Sequence, residues 1–267
     1  MKETDLKGKW ALITGASSGL GVDFARNLAA RGCNLILVAR RADRLEAVQQ
    51  EIAAQYGVQA DVIVMDLAPA DAPQELYDQI KAGGRAVDVL INNAGFGVYG
   101  DFLEIPWARE RAMLELDIVT LTHLTKLFAR EMVERRFGYI LLVSSIGAYQ
   151  PSPTYAAYSA AKSYVLYFGE ALHYELRHTG VNVTVVSPGV TRTEFLEVAG
   201  QQPSLYQRTM MMDSPEVTRI AIDALLGGKA SVVPGFMNAL LAQSTRFMPR
   251  QLAAMSADRF MRMGSGA

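Results

Sequence analysis

Tyr158 and Lys162 stand four residues apart in YSAAK, and Ser145 precedes Tyr158 by thirteen. On a helix, a spacing of four puts the phenol and the amine on one face, about one turn apart. An ammonium at that distance favours the tyrosinate and lowers the phenol from its usual pKa of ~10. The result is a proton donor or acceptor usable near neutral pH. Ser145 ends the apolar run YILLVSS, where its hydroxyl can hydrogen-bond an oxygen on which charge develops. A tyrosine and a lysine four apart are common on helices, so the pair gains meaning only from its surroundings.

The first surrounding feature is the turn TGASSGLG, Thr14–Gly21, which follows the run WALIT and precedes an amphipathic stretch. Glycines at 15, 19 and 21 at a strand-to-helix turn let backbone amides approach a diphosphate, and the helix N-terminus adds partial positive charge. Spaced glycines alone could be a plain tight turn; their place in a βαβ unit points to a dinucleotide site built by Gly15, Ser17, Ser18, Gly19, Leu20 and Gly21. The next strand run ends Val38-Ala39-Arg40-Arg41. An acid there would bind both ribose hydroxyls of NAD and repel a 2′-phosphate. Ala39 takes that position instead, and guanidinium groups pair well with phosphate oxygens. Arg40 and Arg41 therefore predict NADP(H), against the plainer reading of two solvated residues opening a helix.

These groups need a scaffold. Short apolar runs at Trp10–Thr14, Asn34–Ala39, Asp61–Met65, Asp88–Asn92, Tyr139–Ser144, Asn182–Ser187 and Ser231–Pro234 read as seven strands. They are continuous rather than alternating, the pattern of parallel strands covered on both faces. The stretches between them are long enough for crossover helices, with helix periodicity over 41–55 and 107–136. In the second, Leu114, Ile118, Leu121, Leu124 and Phe128 form a core stripe. This is an α/β doubly wound layer, with a barrel as the lesser alternative. Ligands of open α/β sheets bind at the carboxyl ends of the strands, where the glycine turn, Ser145 and the Tyr158–Lys162 pair would converge.

The 267 residues form one expected domain without a linker. It divides into a cofactor and catalytic core over 1–189, a covering segment over 190–230, and the last strand with a helical tail over 231–267. Residues 190–213 carry no strand signal, as lids often do not. The tail Phe236–Met263 carries Arg246, Arg250, Arg259 and Arg262 and reads as a helix pair.

With 26 Lys+Arg against 27 Asp+Glu and 50% hydrophobic residues, the chain is neither disordered nor a basic nucleic-acid binder. Its single cysteine, Cys33, can form no internal disulfide. MKETDLKGKW lacks the apolar stretch of a secretory leader, and no run approaches the roughly 18 apolar residues of a membrane span, so a cytoplasmic location is expected. His123, His173 and His178 have no metal-ligand spacing with one another or with Cys33, and read as packing residues.

The ordered set TGASSGLG, Asp66-Leu67, NNAG at 92–95, Ser144-Ser145, YSAAK and PGVTRT at 188–193 resembles the short-chain dehydrogenase/reductase family. The resemblance runs from about Lys9 to Thr193. It implies a single-domain, Rossmann-like doubly wound parallel sheet of seven strands, order 3-2-1-4-5-6-7, with helices on both faces. It implies Tyr158 as catalytic acid/base, Lys162 as its partner and holder of the nicotinamide ribose, and Ser145 as the residue orienting the substrate oxygen. Asp66 and Leu67 match positions beside the adenine. Asn92, Ala94 and Gly95 match the cofactor cleft, and Pro188, Gly189, Val190 and Thr193 the flank of the nicotinamide. Homodimers or homotetramers are implied.

One position departs from that pattern. Where the family has an asparagine in a proton relay, 28 residues before the serine, this chain has Asp117. Either the carboxylate works in the relay and shifts its pH dependence, adding negative charge near Lys162, or it points elsewhere.

The expected activity is hydride transfer between NADP(H) and a carbonyl or secondary alcohol, with a medium-sized hydrophobic ketone or aldehyde as substrate. Phe96, Tyr149, Tyr155, Phe195 and Leu196 are candidates for an apolar pocket wall. The rival from another class is a cofactor-binding regulatory or interaction protein with little turnover; the presence of Ser145, Tyr158 and Lys162 together speaks against it. The tail is expected to cover the pocket or pack on a partner subunit, with peripheral membrane contact through 236–263 as the alternative.

Overall fold

The computed structural model describes residues 6–262; Met263, at the end of the expected tail, and the opening residues 1–5 lie outside the described residues. Seven strands form one sheet: β1 (Trp10–Thr14), β2 (Asn34–Ala39), β3 (Ala60–Val64), β4 (Val87–Asn92), β5 (Gly138–Val143), β6 (Val181–Val186) and β7 (Ser231–Val232). Their order is β3-β2-β1-β4-β5-β6-β7, and every neighbouring pair is parallel. The sheet is open, with β3 and β7 at its edges, so the barrel alternative does not hold. The strands read as unbroken apolar runs because both faces are covered: Leu12, Ile13, Leu90, Ile91, Ile140 and Leu141 are all fully buried.

One face is covered by α1 (Leu20–Ala29), α2 (Ala42–Tyr56) and α9 (Ser214–Leu226). Phe24, Leu28, Leu45, Ile52, Ile222 and Leu225 pack there against alternate strand residues such as Ile13, Leu35 and Val89. α2 stops where Gly57 takes φ 66° and its N–H bonds Ala53 O at 3.1 Å, a left-handed cap that costs glycine little. The other face is covered by α3 (Ala72–Ala82), α5 (Leu121–Glu134) and α6 (Ala156–Leu176), through Leu76, Ile80, Leu124, Phe128 and Val165. Each large side chain buried in these layers contributes about 1.5–3 kcal/mol.

The expected stripe over 107–136 is broken. α4 (Trp107–Leu114) runs into a π-helical turn, Glu115–Thr120, before α5 begins. Leu121, Leu124 and Phe128 are buried as expected, but Leu114 and Ile118 are only half-buried, and Met113 and Asp117 take the inward line. The wider turn rotates the upstream half of the stripe. Such turns are frequent at functional sites.

Residues 190–213 form a closed loop over the carboxyl edge. They carry the short helices α7 (Phe195–Ala199) and α8 (Leu205–Met210) and are shut by a parallel bridge between Thr191 and Met212. The covering role stops there: α9 sits in the core against α1, because Val217, Ala221, Ile222 and Leu225 fall on one helix face. The tail is a helix pair, α10 (Phe236–Ser244) and α11 (Arg250–Arg262), joined by a 3₁₀ turn. Its inner side presents Ala242, Ala253 and Ala257, whereas Phe236, Phe247, Leu252 and Met255 are exposed. Among the described residues, no helix is long and apolar enough to cross a membrane.

Candidate active site

The strand ends of β1, β2, β4, β5 and β6 open onto one cavity of about 870 Å³. At one end stand Ala39, Arg40, Arg41, Asp66 and Leu67; at the other stand Ser145, Tyr158 and Lys162. Gly15, Ser17, Ser18, Gly19 and Leu20 form its floor between them, with Ala94, Gly95, Pro188, Gly189, Val190 and Thr193 along the sides.

The glycine turn is built for close approach. Gly15 has φ 69° and Gly19 φ 54°, and a Cβ on Gly15 would fall 2.8 Å from Asn93 Nδ2. Asn93 ties the NNAG loop to this turn through Thr14 O at 2.9 Å, while Thr14 Oγ1 accepts from the N–H groups of Asn93 and Ala94. Gly19 is the N-cap of α1 and brings no side chain, so no side-chain acceptor serves the first-turn N–H groups. A helix start of that kind suits an anion. An elongated groove with a glycine floor, a bare helix N-terminus midway and arginines at one end fits a nicotinamide dinucleotide.

Two of the expected cofactor residues do not face the groove. Gly21 lies in α1 behind the turn, where a Cβ would collide with Gly15 O at 2.1 Å; it allows helix and turn to pack. Asn92 is buried, and its Nδ2 donates to Thr125 Oγ1 at 2.9 Å, fastening β4 to α5. The neighbouring Asn93 is the one that borders the cavity.

Ser145 leaves β5 in an extended conformation, and its Oγ accepts from Gly147 N at 3.1 Å, which fixes the hydroxyl at the cavity wall. Tyr158 and Lys162 share the inner face of α6, both nearly buried, with the Lys162 ammonium 5.7 Å from the centre of the Tyr158 ring. Ser144, one residue before Ser145, donates to Lys162 O at 2.7 Å and pins α6 to the strand end. Lys162 Nζ donates to Val143 O at 3.2 Å and lies 3.0 Å from Asp117 Oδ2. Asp117 does not point elsewhere. It is fully buried behind Lys162, and its Oδ1 accepts from Phe96 N at 3.3 Å.

The electrostatics differ from the sequence expectation. Burial raises the Tyr158 phenol above its ordinary value, the Asp117 charge raises it further, and only a hydrogen bond with Ser145 lowers it. The phenol is not acidified: burial outweighs everything else acting on it, the Asp117 charge adds to the rise, and the Lys162 ammonium that would oppose it lies against that carboxylate. Burial likewise raises Asp117 above the usual carboxylate range, opposed by Lys162 and the Phe96 N–H.

Around Tyr158 the wall is aromatic. Its ring lies 5.6 Å from Tyr155 and 5.5 Å from Phe195, and Tyr155 lies 5.4 Å from Tyr99. Phe96, Tyr149 and Leu196 complete the expected apolar lining. A buried polar network behind this wall was not foreseen. Tyr155 Oη donates to Gln201 Oε1 at 2.7 Å, Gln207 Nε2 donates to the same oxygen at 3.1 Å, and Gln207 also reaches Met261 Sδ of α11 at 3.6 Å. Its signal in the sequence was Ser204-Leu205-Tyr206-Gln207, a capping box that starts α8 and aims Gln207 inward. Ser256, Ala257 and Met261 of α11 also line the cavity.

The histidines and Cys33 stay outside this site. His173 Nδ1 contacts Val183 O at 2.8 Å, and burial pushes the Cys33 thiol up to about 12. Among the described residues, no group of three or more His, Cys, Asp or Glu side chains could hold a metal ion.

Comparison with known proteins agrees with the fold and motifs. The chain is 35% identical over 198 residues to a very-long-chain 3-oxoacyl-CoA reductase of Anas platyrhynchos, which covers 72% of this chain and 62% of that protein. The chain thus spans about three fifths of that relative's length. In structure it matches a 7β-hydroxysteroid dehydrogenase with a TM-score of 0.86 at 25% identity, covering 96% and 99% of the two chains. It matches a short-chain dehydrogenase from Sphingobium yanoikuyae in complex with NADPH with a TM-score of 0.80 at 29% identity, covering 92% and 98%. The short chain dehydrogenase family profile matches residues 9–204. On the sheet order, the motif set at its carboxyl edge and this match, the chain belongs to the short-chain dehydrogenase/reductase family.

Proposed function

We propose that the chain is an NADP(H)-dependent carbonyl reductase acting on a medium-sized to bulky hydrophobic ketone or aldehyde, and on the matching secondary alcohol in reverse. The observation that carries this reading is the meeting of Ser145, Tyr158 and Lys162 at one end of a dinucleotide-shaped groove whose other end holds Arg40 and Arg41.

The nicotinamide, when bound, supplies or accepts the hydride. Residues Gly15–Leu20, Ala94, Gly95 and Pro188–Thr193 would hold the dinucleotide, and Asp66 and Leu67 would serve its adenine end. Ser145 and Tyr158 hydrogen-bond the carbonyl oxygen. Tyr158 then gives its phenolic proton to that oxygen as charge builds on it. The raised phenol suits this direction, since it arrives protonated. The phenolate left behind faces the Lys162 ammonium, which Asp117 and Val143 O hold in place. Asp117 thus acts as a positioning residue, through Lys162.

The substrate class rests on the wall. Phe96, Tyr149, Tyr155, Phe195, Leu196 and Met210 present mostly apolar surface beyond Tyr158, and the 190–213 segment with α11 closes over it. Two of the similar proteins are named for a very-long-chain 3-oxoacyl-CoA and a hydroxysteroid, both large and mostly apolar substrates. Homo-oligomer formation fits the row of exposed tyrosines on α6, Tyr164, Tyr167 and Tyr174. The test is an NADPH-oxidation screen over small aldehydes, bulky ketones, steroid ketones and 3-ketoacyl thioesters, repeated with NADH. The reading expects turnover of bulky apolar carbonyls with NADPH preferred. Tight NADPH binding with no turnover of any carbonyl or alcohol overturns it in favour of a binding protein.

A further inference from the structure

Arg41, at the β2 end of the groove, is not free. Arg41 donates from Nη1 to Glu194 Oε2 at 3.0 Å, and through Nε and Nη2 to Ser17 Oγ at 3.3 and 3.2 Å. Arg44, one helical turn on in α2, bonds the other oxygen of the same carboxylate. Glu194 belongs to a different part of the chain. It follows Thr193, whose side chain lies where a Cβ on Gly19 would touch it at 3.0 Å, and it leads directly into α7 of the covering segment. The Arg41–Glu194 pair therefore bridges the groove from the end of β2 to the start of the cover. Ser17, Arg40, Arg41, Thr193 and Glu194 all line the cavity. Arg44 and Arg41 hold the Glu194 carboxyl below the usual carboxylate range, so it stands there as an anion.

We propose that Glu194 is a specificity-determining residue that occupies the chain's own 2′-phosphate site, so that a phosphorylated ribose must take Arg41 from it and loosen the cover as it does so. The inference rests on the NADP(H) reading above. Arg41 gives its Nε and Nη2 edge to Ser17 and its Nη1 to Glu194, so an anion that approaches Nη1 meets the carboxylate, and the two repel. A phosphate monoester carries about −1.5 to −2 at neutral pH and accepts at three oxygens, against one negative charge for the carboxylate. It therefore wins the guanidinium, at the cost of breaking the bridge. A ribose with a bare 2′-hydroxyl brings no competing charge and leaves the bridge shut.

The consequence has a direction. Glu194→Gln keeps the shape and removes the competing charge, so the 2′-phosphorylated dinucleotide gains and the unphosphorylated one does not. Exposed ion pairs set the scale, so the gain is about twofold to fivefold. Because the groups are partly exposed, added salt shrinks it.

The test is calorimetric titration of NADP+ and NAD+, without substrate, into the full chain and its Glu194→Gln and Arg41→Ala variants at low and high salt. Limited trypsin digestion of the ligand-free proteins at Arg192 and Arg208 is followed alongside. The inference expects Glu194→Gln to lower the NADP+ Kd about twofold to fivefold and leave the NAD+ Kd unchanged, with faster cleavage in the cover. Equal shifts for both dinucleotides, or none, overturn it. If Arg41→Ala collapses the NADP+/NAD+ ratio while Glu194→Gln leaves it unchanged, this inference alone fails. If Arg41→Ala leaves the ratio unchanged, the NADP(H) reading fails and the inference with it.

Discussion

Lys162 Nζ and Asp117 Oδ2 lie 3.0 Å apart with the carboxylate wholly out of solvent, so the ammonium that faces the Tyr158 ring is already neutralised from behind. A buried ion pair of this kind is held by the cost of leaving either charge alone. It also sets the proton chemistry, because the net charge presented to Tyr158 is smaller than a lone lysine would give.

Asp117→Asn removes the negative charge and keeps the side-chain shape. The Tyr158 phenol then falls, since one of the two causes that raise it is gone. In the reductive direction activity is lost as pH rises through the phenol's pKa, so the variant's alkaline limb moves to lower pH. In the oxidative direction activity appears as pH rises, and that limb also moves down. The expected displacement is on the order of one pH unit, as for a single charge a few ångströms away in a protein interior. pH profiles of kcat/KM measured both ways check it; profiles that superimpose on the parent's show that the carboxylate carries no weight in the chemistry.

Gly95→Ala places a methyl 2.5 Å from Asp117 Oδ1 and 3.3 Å from Lys162 Nζ. The backbone and the ion pair cannot both stay where they are. We expect a loss of kcat of at least about tenfold, with thermal unfolding shifted down by a few degrees, the response to roughly 1 kcal/mol in a chain of this size. Parent-like kcat would mean that the pair is free to move.

Gln207→Leu cuts the link between the cover, Tyr155 and α11. Gln201 keeps its Tyr155 partner but loses the second donor, and an apolar side chain replaces a buried amide. Loss of a buried hydrogen bond costs about 1–3 kcal/mol where a partner is stranded. Since the network holds the wall and not the reacting groups, KM for a bulky ketone should rise several-fold while NADPH binding stays within twofold. Steady-state kinetics beside NADPH titration separate the two; a change in NADPH affinity alone contradicts the assignment.

Phe128→Ala empties the layer between the sheet and α5. Phe128 is 1% exposed and packs edge-on to Tyr77 at 5.3 Å. Truncation of a buried phenylalanine costs about 3–5 kcal/mol. Chemical denaturation should show that loss, and a cost below about 1 kcal/mol would place Phe128 outside the core.

The sheet was legible because buried parallel strands must be apolar on both faces, and β1 and β2 fall on the residues read as strands. The glycine turn, Ser145 and the Tyr158–Lys162 spacing were legible because their chemistry depends on local sequence. What escaped depends on contacts distant in sequence. The π-helical turn at Glu115–Thr120 leaves no periodic mark, yet it turns Asp117 inward. Asn92 and Asn93 are alike as letters, and only the strand end decides which faces the groove. The direction in which Tyr158 is shifted depends first on burial of its phenol and then on the Asp117 charge, 45 residues from Lys162, and local sequence states neither that burial nor the inward turn of Asp117. Arg41 and Glu194, 153 residues apart, meet only once the cover folds over the strand ends.

In the proposed reaction Tyr158 delivers the proton. Tyr158→Phe removes one oxygen from a residue whose ring packing stays intact, so it isolates that role. The decisive measurement is single-turnover NADPH oxidation with a bulky ketone, paired with the NADPH Kd of the same preparation. The rate should fall by about 10²–10⁴, as for loss of a general acid, with Kd unchanged. A variant that reduces the ketone at the parent's rate would contradict it.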